Sequence, residues 1–334
     1  TAWQKYAFER VTDANPFPAI MGRVCPAPCE DRCNRNEVED HVGINAVEQF
    51  IGDYGLEHDL KLHPPGPDTG KKVAIIGSGV AGLACAYHLR RMGHACTVFE
   101  KQEKLGGMMR YGIPGYRVPD KVLDGEIQRI IDLGVEIRNK TRIGEDISFD
   151  ELRSQFDAVF IALGAQSGMA LPVPGGDAPN VISGVAFLQA FNDGRLQHTA
   201  GKVLVVGGGD TSMDVAAVAR RLGHIEHKRE HDRPENIIMG YMAHDVAGVA
   251  QRQGAEVVLI SRESSDIMPA TKMEVEHVTQ EGVSIRPGLL PVEVLLGEDG
   301  RARGVRVIQT DWSSGKMETV EGTETEIECD LLVS

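Results

Sequence analysis

The sequence predicts an α/β fold made of two parallel-sheet units, each opening on a glycine turn, behind a short helical head. Three observations carry that prediction. Lys72–Glu100 reads as an apolar strand, G-x-G-x-x-G, an amphipathic helix, a second strand and a terminal acid. A second apolar strand with a glycine turn begins at Lys202. Residues 1–62 hold three closely spaced cysteines and no alternating strand pattern. A strand running into such a turn and then a helix binds a pyrophosphate against helix N–H groups. Two turns imply two dinucleotides and two Rossmann-like units.

Bulk composition narrows the function classes. The 334 residues carry 35 Lys and Arg against 49 Asp and Glu, a net charge of −14, which argues against a general nucleic-acid or anionic-membrane surface. No apolar run reaches the roughly 18 residues that a membrane span needs. The chain opens at Thr1 without Met and stops inside the strand-like run DLLVS, so a fragment is expected.

The head spans residues 1–62. Pro26 and Pro28 prevent a regular helix through Cys25 and Cys29, so the sulfurs of CPAPCEDRC must leave irregular backbone. Downstream, Ile44, Val47 and Ile51 fall at helical spacing and predict a helix over Asn45–Tyr54, with Glu48 beside its apolar stripe. Thiolates at Cys25, Cys29 and Cys33 suit an iron–sulfur cluster, which needs several soft ligands at once. Zinc is the alternative, but no second Cys or His pair follows and His41 offers one ligand; buried thiols are the third reading. Three local sulfurs leave ligands to be found, from a carboxylate such as Glu48 or from upstream sequence. Cys85, Cys96 and Cys329 lie within predicted elements and read as structural.

A stiff linker, HPPGPDTG, leads into the first unit, residues 71–170, which sequence beyond 320, partly missing, is expected to complete. There Gly77 permits the tight turn, Gly79 leaves room for a pyrophosphate, and Gly82 with Ala86 lets the helix lie close on Val73–Ile76. Glu100 follows Gly77 by 23 residues and is placed to accept hydrogen bonds from ribose hydroxyls. The run from Leu105 through Gly106, Gly107, Met108 and Arg110 to Ile113 marks backbone passing close to a flat ligand, with a surface turn as the alternative. Helices over Leu123–Gly134 and Ser148–Gln155 alternate with strands over Val135–Asn139 and Phe156–Leu163, the last closing on Gly164.

The second unit spans residues 175–320. Val203–Val206 precedes Gly207-Gly208-Gly209-Asp210-Thr211-Ser212, and a helix follows from about Met213 to Leu222. Its second strand, Glu256–Ile260, leads into Ser261-Arg262-Glu263, with Arg262 lying 55 residues beyond Gly207 where about 20 is usual, so residues 224–253 read as an insertion. That insertion holds the charged loop HKREHDRPEN and a helical pattern over Asp245–Gln251. His224, His227, His231 and His244 within it read as a solvated loop in preference to a metal site. A helix is expected over Lys272–Gln280. Val283–Ile285, Val292–Leu295, Val305–Gln309 and Lys316–Val320 read as strands of an antiparallel crossover.

GRVCPAPCEDRC, GSGVAGLACAYHL, LGGMMRYGIPGYRVP, FIALGA, GGGDTSMDVA and MPA with TQEGV, in that order, resemble the glutamate synthase small subunit. They resemble equally the flavin half of dihydropyrimidine dehydrogenase and the large subunit of NADH-dependent ferredoxin:NADP oxidoreductase. The resemblance covers nearly the whole chain outside residues 224–253. It implies a pyridine-nucleotide-disulfide-oxidoreductase-like fold, with FAD in the first unit, NAD(P)H in the second and [4Fe-4S] clusters in the head. FAD contacts are implied for Gly77, Gly79, Val80, Ala81, Gly82, Glu100, Lys101, Gly107, Met108, Arg110, Ile113, Ala162 and Gly164. Nicotinamide-dinucleotide contacts are implied for Gly207, Gly209, Asp210, Thr211, Arg262 and Glu263. Cluster ligands are implied for Cys25, Cys29 and Cys33, with Cys33 serving a different cluster and Glu48 at a position where some members supply a carboxylate or amide ligand. A terminal flavin motif would follow DLLVS.

One departure bears on the cofactor. NADPH users of the family resemble Y-R-R after the second strand, whereas Glu263 here repels a 2′-phosphate and accepts from free ribose hydroxyls, which predicts NADH over NADPH. Ser261-Arg262-Glu263 and the insertion are more similar to the iron–sulfur flavoprotein associated with dissimilatory sulfite reductase of sulfur oxidisers. The implied activity is electron transfer between NAD(H) and a partner redox protein, with sulfite reductase, ferredoxin or a synthase large subunit as partner types. Cytoplasmic location and homo-oligomerisation are further expectations. The alternatives are an NADPH-dependent glutamate synthase small subunit and a non-enzymatic, zinc-stabilised dinucleotide sensor or scaffold. No disulfide-spaced Cys pair lies by the nucleotide turns, which disfavours a thioredoxin-reductase-like reaction. No catalytic base is nominated, since hydride transfer depends on positioning.

Overall fold

The computed structural model describes residues 2–224, 233–240 and 254–334. The chain divides into two compact units, Thr1–Gly164 and Ala165–Ser334.

The first unit begins with helices only: α1 (Ala2–Thr12), α2 (Pro18–Val24), α3 (Pro28–Asp31), a 3₁₀ turn over Asn34–Glu37, and α4 (Ile44–Glu57). Pro18 and Pro28 open their helices, where a missing N–H is harmless and φ is preset. Two glycines set the crossing of α2 and α4. A Cβ on Gly52 would stand 2.2 Å from the Ala19 nitrogen, and one on Gly22 would stand 2.5 Å from Gln49 Cα. Only hydrogen there permits so close an approach.

The sheet of this unit is formed by β1 (Lys72–Ile76), β2 (Ala95–Phe99), β3 (Glu136–Arg138) and β4 (Ala158–Ile161), all parallel in the order β3-β2-β1-β4. Between the strands run α5 (Val80–Arg91), α6 (Met108–Tyr111), α7 (Asp120–Ile131) and α8 (Phe149–Gln155). The fully buried Leu83, Ala86 and Tyr87 fall at i, i+3 and i+4 on α5 and face the sheet. Phe8, Phe17 and Ile20 of the head join Leu83, Tyr87, Ile127 and Ile130 in one apolar cluster. Head and sheet therefore share a core. Tyr87 adds a hydroxyl bond of 2.6 Å to the Thr12 carbonyl, and Arg91 grips Asp13.

In the second unit β5 (Val181–Ile182), α9 (Gly184–Asn192), β6 (Lys202–Val206), α10 (Asp210–Leu222) and α11 (Pro234–Ile238) precede β7 (Glu256–Ser261), α12 (Lys272–Gln280) and β8 (Ser284–Pro287). Then come β9 (Leu289–Leu296), β10 (Ala302–Asp311), β11 (Glu318–Thr319), β12 (Thr325–Glu328) and β13 (Leu331–Val333). The parallel sheet runs β5-β13-β6-β7-β8, and β9 to β12 form an antiparallel layer.

Two expectations are corrected here. The strand at 284–287 is not part of the antiparallel crossover but extends the parallel sheet beside β7. Sequence beyond 320 is expected to complete the first unit, yet β13 of DLLVS pairs with both β5 and β6 of the second. The reason is burial: Leu331, Leu332 and Val333 are all fully enclosed, as a strand flanked on both sides and faces requires. Part of the insertion is built in, since α11 buries Pro234, Glu235, Ile237 and Ile238 while Arg195 donates to the Ile237 carbonyl. The expected helix over 245–251 and the residues His227, His231 and His244 lie outside the described residues.

Candidate functional site

The first glycine turn sits where strand order reverses, between β1 and β4, the crevice at which open α/β sheets take ligands. Gly77 has φ 105, and a Cβ there would stand 2.3 Å from the Ala162 carbonyl oxygen. Gly82 is as tightly held, its Cβ position being 1.9 Å from the Gly77 oxygen. Gly79 differs. Its nearest neighbour would be Gly107 Cα at 3.8 Å, so the two glycines face each other across open backbone. No side chain caps α5, whose first residues Val80 and Ala81 are exposed. Their free N–H groups and the helix dipole fit a phosphate.

Glu100 is 6% exposed and already engaged. Its Oε2 accepts from Ser78 N at 3.0 Å and Ser78 Oγ at 2.6 Å, and Oε1 accepts from Gln102 N at 2.8 Å. Oε2 thus has both lone pairs taken, and Oε1 retains one for a ribose hydroxyl. Ser78, which the motif leaves unspecified, also receives Gly106 N–H on its carbonyl at 3.1 Å. It thus ties the turn, the acid and the second glycine loop together. Arg110, expected as a flavin contact, is occupied within the protein: Nε donates to the Leu105 carbonyl, and the guanidinium pairs with Asp120 and Asp124 of α7. Met108 and Ile113 are half-buried beside it, while Lys101 and Gly164 are exposed.

The second turn repeats the arrangement. Gly207 has φ 143, no atom of the described residues beyond the chain neighbours lies within 4 Å of the Gly209 Cβ position, and α10 starts uncapped at Asp210. That start is one turn earlier than the sequence suggests. Thr211 is exposed at the helix entrance, and Asp210 Oδ1 accepts from Thr271 N at 3.2 Å. Because β6 and β7 are parallel neighbours in register, Ser261–Glu263 arrive beside Gly208 despite the long insertion. A Cβ on Gly208 would lie 3.2 Å from Glu263 Oε2. Burial works to raise the Glu263 pKa, but hydrogen bonds from Arg262 and Ser261 outweigh it and hold the carboxyl below its ordinary value. It therefore stays an acceptor at neutral pH. The Arg262 side chain is 59% exposed.

In the head, Cys25 ends α2, Cys29 lies in α3 and Cys33 precedes the 3₁₀ turn, the first two exposed and the third half-buried. Between them Ala27 takes φ 51, a left-handed conformation rare for a residue with a Cβ. Backbone N–H groups of Val42 and Arg35 hold the Cys33 thiol below its usual pKa, which favours thiolate. Glu48 is half-buried and accepts from Asn15 Nδ2 at 2.7 Å. One turn earlier on α4, Asn45 donates to the Cys25 carbonyl at 3.2 Å, and its own N–H is capped by Glu30 at 2.7 Å. Asn45 and Glu30 brace the cysteine loop, and sequence spacing gave no sign of them. Among the described residues no three His, Cys, Asp or Glu side chains are gathered closely enough to hold a metal ion. By contrast Cys96 and Cys329 are buried, and desolvation pushes their thiols up to about 11 and about 12, as structural residues require.

Residues 71–334 match the family described as pyridine nucleotide-disulphide oxidoreductase, and residues 2–60 match dihydropyrimidine dehydrogenase domain II, 4Fe-4S cluster. The NADPH-Fe(3+) oxidoreductase subunit beta of Geobacter sulfurreducens is 36% identical over 99% of this chain and 47% of its own length. The glutamate synthase [NADPH] small chain of Mycobacterium tuberculosis is 34% identical over 98% of this chain and 66% of its own. This chain thus spans about half to two thirds of those relatives. Mycobacterium tuberculosis FprA in complex with NADPH superposes with a TM-score of 0.61 at 19% identity, over 80% of this chain and 70% of that one, a likeness of fold. The chain belongs to the pyridine nucleotide-disulphide oxidoreductase family, within its glutamate synthase small-subunit-like iron–sulfur flavoprotein branch.

Proposed function

We propose that the protein transfers electrons between NAD(H) and a partner redox protein through FAD and [4Fe-4S] clusters. The observation that carries this reading is the recurrence, behind a cysteine head, of one cradle twice: a glycine turn against an uncapped helix start, with a carboxylate brought to the turn from the end of the next strand. Bound FAD supplies an acceptor that takes a hydride and releases electrons singly. The chain's own part is positional. Gly77 and Gly82 let the turn close on its own backbone, Gly79 and Gly107 leave backbone open to the pyrophosphate, Glu100 accepts from the ribose, and Arg110 holds the Leu105–Gly107 loop. Gly207, Gly209, Asp210 and Thr211 do the same for the nicotinamide dinucleotide. Cys25, Cys29 and Cys33 supply thiolates, with Glu48, one turn beyond Asn45 on α4, a further donor. The match to a 4Fe-4S domain supports iron–sulfur over zinc.

Glu263, ionised beside Gly208, supports NADH as the preferred nucleotide. The exposed Arg262 favours the alternative, NADPH, as do the names of the relatives above. Those relatives are designated subunit and small chain, which supports a partner protein. The resemblance of Ser261-Arg262-Glu263 and the insertion to the sulfite-reductase-associated flavoprotein supports a partner of that type. No described helix is long and apolar enough to cross a membrane.

The test is an absorption spectrum of the purified protein under anaerobic conditions. Flavin bands over broad iron–sulfur absorption, bleached by NADH with a higher kcat/KM than NADPH, are the expected result. A colourless protein containing zinc would end the proposal, and a strong NADPH preference would end the Glu263 reading alone.

A further inference from the structure

The segment that ends β7 is held from a second direction, by residues outside any nucleotide motif. The Arg262 carbonyl accepts two side-chain hydrogen bonds from the end of β10 and the residue after it. Thr310 Oγ1 donates at 2.7 Å and Trp312 Nε1 at 2.9 Å. Backbone continues the brace: Gly288 N donates to the Glu263 carbonyl and Thr310 N to the Gly288 carbonyl, each at 2.9 Å. On the other side, a Cβ on Gly208 would stand 2.4 Å from Ser261 Oγ. Ser261–Glu263 is thus wedged between the glycine turn and the antiparallel layer.

Two opposite charges leave this wedge. Arg262 Nε donates to Glu263 Oε1 at 2.9 Å, and Glu263 Oε2 accepts from Ser261 Oγ at 2.7 Å. A ribose carrying a 2′-hydroxyl is read by an acceptor, and one carrying a 2′-phosphate is read by a guanidinium. Selectivity is the difference between the two affinities, so it depends on which charge is aimed at the 2′ position. The backbone rotation at Arg262 sets the direction in which both side chains leave the wedge. The carbonyl that fixes that rotation is the one Thr310 and Trp312 hold.

We propose that Thr310 and Trp312 are positioning residues for nucleotide selectivity, fixing through the Arg262 carbonyl the direction in which the Arg262 and Glu263 side chains meet the ribose. The proposal rests on the reading of the Gly207 turn as the nicotinamide-dinucleotide site. Binding of NADH, NADPH, AMP and 2′-phospho-AMP to the full chain is measured by calorimetry for the wild type, Thr310→Val, Thr310→Ser and Trp312→Phe. The NADH-to-NADPH affinity ratio falls about 3- to 10-fold for each lost hydrogen bond in Thr310→Val and Trp312→Phe, with the same shift in the AMP pair. Thr310→Ser keeps the hydroxyl and the wild-type ratio. An unchanged ratio in both Thr310→Val and Trp312→Phe, even with all four affinities lowered together, overturns the proposal. A wild type that binds none of the four overturns the reading of the Gly207 turn and this proposal with it. A wild type that prefers NADPH, with the ratio still moving in both variants, overturns only the Glu263 assignment and supports the brace.

Discussion

Gly107 shows how much one hydrogen atom decides. With φ 52, and a Cβ position 2.7 Å from Gly79 Cα, it closes the second wall of the first cradle. Gly107→Ala is expected to purify with flavin content lowered at least severalfold, while Gly115→Ala, whose Cβ meets nothing within 4 Å among the described residues, keeps the wild-type content. Flavin absorbance per chain measures both, and equal content in the two variants would remove Gly107 from the site. Ser78 acts at the same scale. Its hydroxyl bond to Glu100 is charge-assisted, worth on the order of 1.5–3 kcal/mol where buried. Ser78→Ala is therefore expected to weaken FAD retention on dialysis with the fold intact by circular dichroism.

At the scale of elements, α7 and α2 are joined by a single carboxylate. Glu126 is 0% exposed, and it accepts from Ala19 N and Ile20 N at 2.9 Å each, capping the helix that ends at Cys25. Burial raises its pKa from 4.5 to about 7, although the two amides, Arg129 and Arg23 pull the other way. The folded protein thus holds this proton where the unfolded chain has lost it. Stability from this group is full below pH 4.5 and is lost as pH rises towards 7, by roughly 3 kcal/mol in all. Glu126→Gln is expected to flatten the denaturation midpoint across that window, and an undiminished slope would show that another group titrates. Gly52→Ala, with its Cβ 2.2 Å from backbone, is expected to destabilise the head by about 1–3 kcal/mol and to lower iron content with it.

The whole molecule tests the assignment of electrons to cofactors. Chelation of iron after oxidation is expected to remove the broad visible absorption and leave the flavin bands, because the glycine cradles make no use of the cysteines. Much of this organisation is legible in the sequence, for a physical reason. The turns at Gly77 and Gly207 depend on local geometry that only glycine meets, so the residues are written where they act. Asn45, Glu126, Thr310 and Trp312 are not legible. Each works by a hydrogen bond to backbone brought from a distant element, and ordinary polar residues at no fixed spacing can make such bonds. Nor is the parallel pairing of 284–287 legible, because a short apolar run has no period that tells parallel from antiparallel pairing.

The placement of β13 has a consequence for synthesis. Leu331–Val333 lies between β5 and β6, strands laid down long before it in the chain. While the ribosome is still adding the intervening antiparallel layer, β6 presents an unpaired apolar edge, the kind of template on which nascent chains aggregate. The second nucleotide unit can close only when its latest strand emerges, so its folding rate is set by a long-range pairing and slows with every residue inserted between β6 and β13.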